Sequence, residues 1–295
     1  MSPNVSERSF EEAIECGLLQ HGPDACAGDA STVRETPPPY GDTPPGGYRK
    51  RRPEDYDSAL CLLPRDVVDF VLATQPREWQ KLTQHHGAAV KEQFLRRLAA
   101  EIERRGALDV LRNGVKDSGC KFRPAYFRPA SGLNEETRRL HAANLFAVVR
   151  QLHYSEKDTN KSIDLGLFLN GIPIFTAELK NPLNSQDVED AIRQYKTERD
   201  PREPLLAYGR CLAHFAVDPD LVYVTTQLAG PKTRFLPFNQ GKYGGAGNPP
   251  VPLTRKGYST AYLWEETWSR DSVLDLVRQF IHEVEEEDEK GRKTG

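Results

Sequence analysis

A chain of 295 residues is long enough for one large or two small domains, and 38% hydrophobic with 28% charged residues reads as soluble and globular. No apolar run approaches the length of a membrane span and Met1 is not followed by a signal peptide, so a cytoplasmic protein is expected, with no membrane partner. The formal net charge of −3 argues against a free-standing tight DNA binder, and favours a local positive groove or partners that supply the grip.

The five cysteines, Cys16, Cys26, Cys61, Cys120 and Cys211, are odd in number and contain no Cys-x-x-Cys pair. They are expected to be reduced thiols. Cys211 and His214 make half a metal site without a second pair, and both are read as structural.

Taken in order, residues 6 to 20 have Phe10, Ile14 and Leu18 at helical spacing, with Ser6 or Ser9 as the cap. Glu11 then lies beside the apolar stripe, with Glu12 and Glu15 on the same helix. From Gly22 to about Pro53 the chain is rich in Pro, Gly, Asp, Ser and Thr and reads as a loop or arm. It ends in Arg49-Lys50-Arg51-Arg52, which either touches DNA phosphate or is solvated. A helix is predicted from Arg65 to about Gln75-Pro76.

A clearer helix spans Ala88 to Arg105, with Val90, Phe94, Leu95, Leu98 and Ile102 on one stripe and Gly106 as its stop. Arg96, Arg97, Arg104 and Arg105 lie off that stripe and form the best basic surface of the chain, either solvated or in contact with DNA or a subunit. Strand-like pieces follow at Leu108 to Lys116 and Lys121 to Phe127, then a short helix from about Glu135 and a strand from Leu145 to Tyr154.

Ser162 to Lys180 holds two apolar runs around Asn170-Gly171, a strong hairpin signal. Asp164, Glu178 and Lys180 are the charges in it, and the period of two puts Glu178 and Lys180 on one face. A two-residue loop pairs Leu169 with Ile172 and sets Asp164 opposite Ala177, whereas a three-residue loop with a glycine bulge pairs Leu169 with Pro173 and Asp164 with Glu178. The second register, or an equivalent bulge, is the expectation. Two facing carboxylates in a half-buried setting repel, and a divalent cation relieves that. Oxygen ligands suit Mg²⁺, and Lys180 is placed to orient a water or balance charge on a phosphate. The same residues also suit a solvated ion pair on an edge strand, with Asp164 capping a turn.

Ser185 to Arg199 is an amphipathic helix with Val188, Ala191, Ile192 and Tyr195 on its stripe and Gln194 one step off it. Arg199 at its end either braces the helix or contacts phosphate. Leu212 to Val217 and Leu221 to Thr226 read as a hairpin, and residues 230 to 254 are rich in Gly and Pro without forming a Walker A loop. A last helix, Asp271 to Glu286, has a broad apolar face that is expected to meet a lost or separate partner, and runs into an acidic tail.

Asp164, Glu178-Leu179-Lys180 and the helix carrying Gln194-Tyr195 resemble the PD-(D/E)xK nuclease core. More specifically, Val110 to Lys116, Asn170 to Pro173, Thr176 to Pro182, Gln194 to Pro201, Ala213 to Asp218, Thr233 to Asn239 and Tyr262 to Glu265 resemble the N-terminal nuclease region of the restriction (motor) subunit of type I restriction-modification enzymes. A weaker match runs through Ser6-Glu7, Phe10-Glu11 and Ile14.

The resemblance implies an α/β, restriction-endonuclease-like mixed sheet flanked by helices, hydrolysing double-stranded DNA with Mg²⁺, for which Mn²⁺ substitutes. Asp164 and Glu178 would hold the metal, Lys180 orient the water, Gln194 position the site and Glu11 add a fourth acid, with Arg199, Arg96 and Arg97 as DNA contacts. Position 198 is Glu where many relatives have the tyrosine of a Gln-x-x-x-Tyr motif, which puts a role for Tyr195 in doubt.

Partners implied are methylase and specificity subunits and an ATP-driven translocase, the motor being absent from these residues. The corresponding division is an N-terminal helix 1–21, an arm 22–58, a nuclease domain 59–268 and a C-terminal helix and tail 269–295. The rival readings are a catalytically silent docking module and a stand-alone repair or mobile-element nuclease of the same superfamily.

Overall fold

A computed structural model describes residues 7–26, 47–128, 134–181, 186–242, 245–251 and 257–282, together with the backbone of 286–287 and 293–294. Helix α1 (Glu7–Leu19) buries Phe10, Ile14 and Leu18 completely, as their spacing dictates. Ser6 lies outside the described residues, and Ser9 sits inside the helix rather than at its cap. Cys16 forms a disulfide with Cys26, which corrects the expectation of five reduced thiols; Cys61, Cys120 and Cys211 are free and buried.

Part of the expected arm is ordered structure. Residues Arg49–Arg51 form β1, with Lys50 Nζ 2.8 Å from Glu15 Oε2 and an Arg51 Nη2 2.8 Å from Asp66 Oδ1. Arg52 Nε lies 4.0 Å from Asp55 Oδ2, so three of the four basic side chains face carboxylates of the fold.

The helix expected from Arg65 is α2 (Pro64–Thr74), but the chain does not stop there. A further helix, α3 (Pro76–His86), begins directly on Pro76, whose missing N–H is no loss at a helix start. Helix α4 (Val90–Arg105) buries all five residues of its stripe.

The strand expected at Leu108 to Lys116 is mostly helix. Gly106 turns the chain at φ +81° into α5 (Ala107–Asn113), which buries Ala107, Leu108, Val110 and Leu111. Only Val115–Asp117 (β2) is extended, and it pairs with Cys120–Phe122 (β3) in a separate two-stranded hairpin. Helix α6 (Glu135–Ala142) follows, capped by the Asn134 side chain.

The main sheet has seven strands in the order β1, β4 (Phe146–His153), β5 (Ser162–Leu169), β6 (Ile172–Leu179), β7 (Ala213–Val217), β8 (Val222–Thr225) and β9 (Leu236–Pro237). It is mixed: β1 runs parallel to β4 and β6 to β7, while the other pairs are antiparallel. Helix α7 (Val188–Thr197) packs on β6 and β7. One face of the sheet shares a large core with α1 to α5, and the other packs Tyr195, Leu205 and Leu206 against Val149, Leu152 and Phe168. The α/β, restriction-endonuclease-like class expected from the sequence is the one observed.

The last helix differs from expectation. It comprises α8 (Arg270–Asp275) and a π-turn through Phe280, and Ile281 is extended. Val273, Leu274 and Val277 are buried in the chain's own core and Ile281 packs partly against it, while Leu276 is half-buried and Phe280 exposed, so part of the apolar face expected to meet a partner is taken up within the chain. Val284 lies outside the described residues. Among the described residues no helix is long and apolar enough to cross a membrane.

Candidate active site

The site is built on the β5–β6 hairpin. Asn170 and Gly171 have φ of +51° and +81°, the signature of a two-residue type I′ turn, and Leu169 pairs with Ile172. The expected three-residue loop is therefore not used. The extra residue appears instead at Ile174, where the register shifts before Phe175 pairs with Leu167. This equivalent bulge lets Ile172, Ile174, Phe175, Ala177 and Leu179 all reach the large core, leaving Thr176, Glu178 and Lys180 to the other face. The pairing of Leu165 with Ala177, carried one step on, sets Asp164 opposite Glu178.

The turn is fixed in depth as well as in register. Asn170 Oδ1 accepts from Leu145 N–H at 2.6 Å, and its amide donates to the Pro124 carbonyl at 2.7 Å and Asn144 Oδ1 at 2.9 Å. A side chain at Gly171 would come within 2.6 Å of the Leu63 carbonyl oxygen.

Glu178 is completely buried. Its Oε1 accepts from Arg199 Nε at 2.6 Å, whereas its Oε2 has no hydrogen-bond partner. Burial, reinforced by the nearby Asp164 charge and opposed by Arg199, pushes the Glu178 carboxyl up to about 8. Asp164 Oδ2 accepts from Leu179 N–H at 2.7 Å and Oδ1 from Gln151 Nε2 at 3.2 Å, which leaves a lone pair on each oxygen. Lys180, just beyond β6, donates its backbone N–H to the Val217 carbonyl at 2.9 Å, and its buried side chain lowers the proton affinity of Glu178.

Helix α7 is docked on this face by polar groups. Asp187 caps it, and Asp218 Oδ2 accepts from Val188 N–H at 3.0 Å. Tyr195 OH and Thr176 Oγ1 are 2.8 Å apart, and Thr176 Oγ1 is 2.7 Å from His214 Nδ1. Tyr195 and His214 are thus buried anchors between α7, β6 and β7. Gln194 contributes a second buried acceptor without a donor, its Oε1.

The other sequence-derived candidates fall in different places. Glu11 reaches the hairpin through Gln151, but Arg150 also holds it, at 2.9 Å from Nη2 to Oε2. Arg199 is buried beside Glu178, its guanidinium 5.9 Å from the Tyr154 ring centroid. Arg96 and Arg97 are exposed on α4 and pair with Glu92 at 2.7 Å and Glu101 at 2.9 Å; they make no contact with Asp164 or Glu178. Arg150, Gln151 and Thr176 escaped the sequence reading. A glutamine within a strand carries no spacing signal, and its partners lie 13 and 140 residues away.

Two opposed carboxylates, oxygen donors only, with one buried oxygen unsatisfied, fit a hard divalent cation such as Mg²⁺, which completes its shell with water and phosphate oxygen. Among the described residues no group of three or more His, Cys, Asp or Glu side chains is placed to share an ion.

Over 97 residues the chain is 33% identical to the type I restriction enzyme HindI endonuclease subunit of Haemophilus influenzae, a match covering 32% of this chain and 9% of that subunit. The sequence profile described as type I restriction enzyme R protein N terminus matches residues 74–233, from the end of α2 past β8 and so across the whole hairpin site. With more than half of its length matched, the chain belongs to the family of type I restriction enzyme R protein N-terminal regions.

Proposed function

We propose that this chain is the endonuclease part of a type I restriction enzyme R subunit and hydrolyses phosphodiesters of double-stranded DNA with Mg²⁺, Mn²⁺ serving in its place. The observation that carries the reading is the hairpin face itself: Asp164 opposite Glu178, with Lys180 one step along and Glu178 Oε2 left without a donor. Asp164 and Glu178 would hold the cation. When bound, it would neutralise phosphate charge and make a nearby water more acidic. Lys180 orients that water towards phosphorus and offsets the charge gathering on the phosphate as the P–O bond breaks. Gln194, with its undonated Oε1, positions groups at the same face.

Arg199 is buried against Glu178 and acts as its counter-charge rather than as a phosphate contact. Arg96 and Arg97 remain candidates for a DNA contact through their exposed faces. Within such an assembly, cutting would be coupled to ATP-driven translocation by a motor, and methylase and specificity subunits would choose the site.

The test is cleavage of supercoiled DNA by the full chain, alone and supplied with a translocase and its partner subunits, in Mg²⁺ and in EDTA. Glu178→Ala and Lys180→Ala should each abolish cutting, with Lys180→Ala still binding Mn²⁺. Cutting that survives both substitutions would refute the assignment.

A further inference from the structure

Gln151 lies within β4 with φ of +49°, a left-handed conformation that a non-glycine residue rarely adopts in a strand. The β4–β5 ladder breaks there: Arg150 pairs with Leu165 and Leu152 with Ile163, while Gln151 stands opposite Asp164 without joining it. The distortion has a visible product. Successive strand residues normally point to opposite faces, yet here Arg150 and Gln151 both reach the Glu11 carboxylate, Arg150 Nη2 at 2.9 Å from Oε2 and Gln151 Nε2 at 3.0 Å from Oε1. The second N–H of the same amide goes to Asp164 Oδ1 at 3.2 Å, and Gln151 Oε1 accepts from Ser162 Oγ at 3.0 Å.

We propose that Gln151 is a positioning residue that limits the active site to one divalent cation: its amide stands between Glu11 and Asp164 where a second cation would otherwise be needed. The inference rests on the nuclease reading and adds the metal number to it. Glu11 Oε2 accepts twice from the Arg150 guanidinium, which balances its charge, and Oε1 accepts from the Gln151 amide, so Glu11 is already engaged by a cation of the fold and serves as the anchor of Gln151. Asp164 keeps a lone pair on each oxygen, and Glu178 Oε2 has no donor at all, so these two carboxylates are the ones left to bind.

Mn²⁺ titration of the full chain by calorimetry, with electron paramagnetic resonance of the bound ion and melting in EDTA, tests this. Wild type should take up one Mn²⁺ per chain, and Glu11→Gln should keep one with affinity changed by only a few-fold. Gln151→Ala should weaken Mn²⁺ binding by roughly ten- to a hundred-fold, as loss of a residue orienting a ligand does. A residue with a merely structural role would lower the melting temperature and leave affinity alone. Gln151→Glu should melt lower in EDTA and acquire a second Mn²⁺ that restores its stability.

Two ions on wild type, or a loss of affinity of roughly tenfold or more in Glu11→Gln, would overturn the proposal while leaving the nuclease reading intact. No ion on wild type would instead remove the nuclease reading, and this inference with it. Should Gln151→Glu fail to fold, Gln151→Ala and Glu11→Gln decide the matter.

Discussion

Glu178 makes the stability of the metal-free fold depend on pH. Its carboxyl is pushed from 4.5 up to about 8, first by burial and then by the Asp164 charge, so the folded chain holds this proton more tightly than the unfolded one. The contribution is therefore fully present below pH 4.5 and is lost as pH rises through about 8. At about 1.4 kcal/mol per tenfold change in proton affinity, the loss is on the order of 4 to 5 kcal/mol. For a chain of this size that is roughly 10 °C in Tm.

Other groups titrate over the same range, so the informative quantity is the difference between wild type and Glu178→Gln, measured by thermal melting from pH 5 to pH 9 in EDTA. Wild type should lose stability relative to the variant as pH rises. Millimolar Mg²⁺ should restore much of the loss at pH 9 in wild type and none in Glu178→Gln, because a cation beside the carboxylates favours their ionised form and its binding releases the proton. Wild type and variant melting in parallel across the range in EDTA would refute the reasoning.

Two further substitutions probe how the site is supported. Gly171→Ala places a Cβ 2.6 Å from the Leu63 carbonyl oxygen at a φ of +81°; a destabilisation of about 1 to 3 kcal/mol is expected in urea unfolding, and an unchanged midpoint would contradict the turn geometry. Thr176→Val removes the hydroxyl that Tyr195 OH and His214 Nδ1 share, leaving buried polar groups short of a partner at a cost of about 1 to 3 kcal/mol, measurable as a lower urea midpoint.

Much of the scaffold was legible in the chain because its signals are local. The helical stripes of α1, α4 and α7 and the Asn-Gly turn each depend on neighbours within a few residues, and all are found in place. The position of the hairpin bulge was not legible. Ile172, Ile174 and Phe175 are all apolar, so no polar residue marks where the alternation changes phase.

Helix α5 was missed because a short apolar run such as Ala107 to Leu111 suits a strand or a helix equally, and Gly106 and the packing against α4 decide it. The Cys16–Cys26 bridge was missed because spacing within a Gly- and Pro-rich segment says little about where the second thiol lies. Within the site, the charged residues were readable but their partners were not. Arg199 meets Glu178 across 21 residues and Gln151 meets Glu11 across 140, contacts that only the assembled sheet creates.

What separates a working site from a retained fold is where the molecule departs from the arrangement that stability favours. A buried ion pair such as Glu178–Arg199 is often no more stabilising than a well-packed apolar pair of the same volume. Undonated buried acceptors, as at Glu178 Oε2 and Gln194 Oε1, lose hydrogen bonds that water would have given them. A left-handed glutamine inside a strand is strained by about 1 to 3 kcal/mol. Departures of these kinds also occur elsewhere, as at Trp268 Nε1 and Cys61, but only on this hairpin face do they surround two opposed carboxylates, while the other face of the same strands packs almost wholly apolar residues. A module needing the fold only for docking gains nothing from them and would be more stable without them. A site that must present carboxylates to a cation and a phosphate needs this arrangement, which is why the clustering favours catalysis.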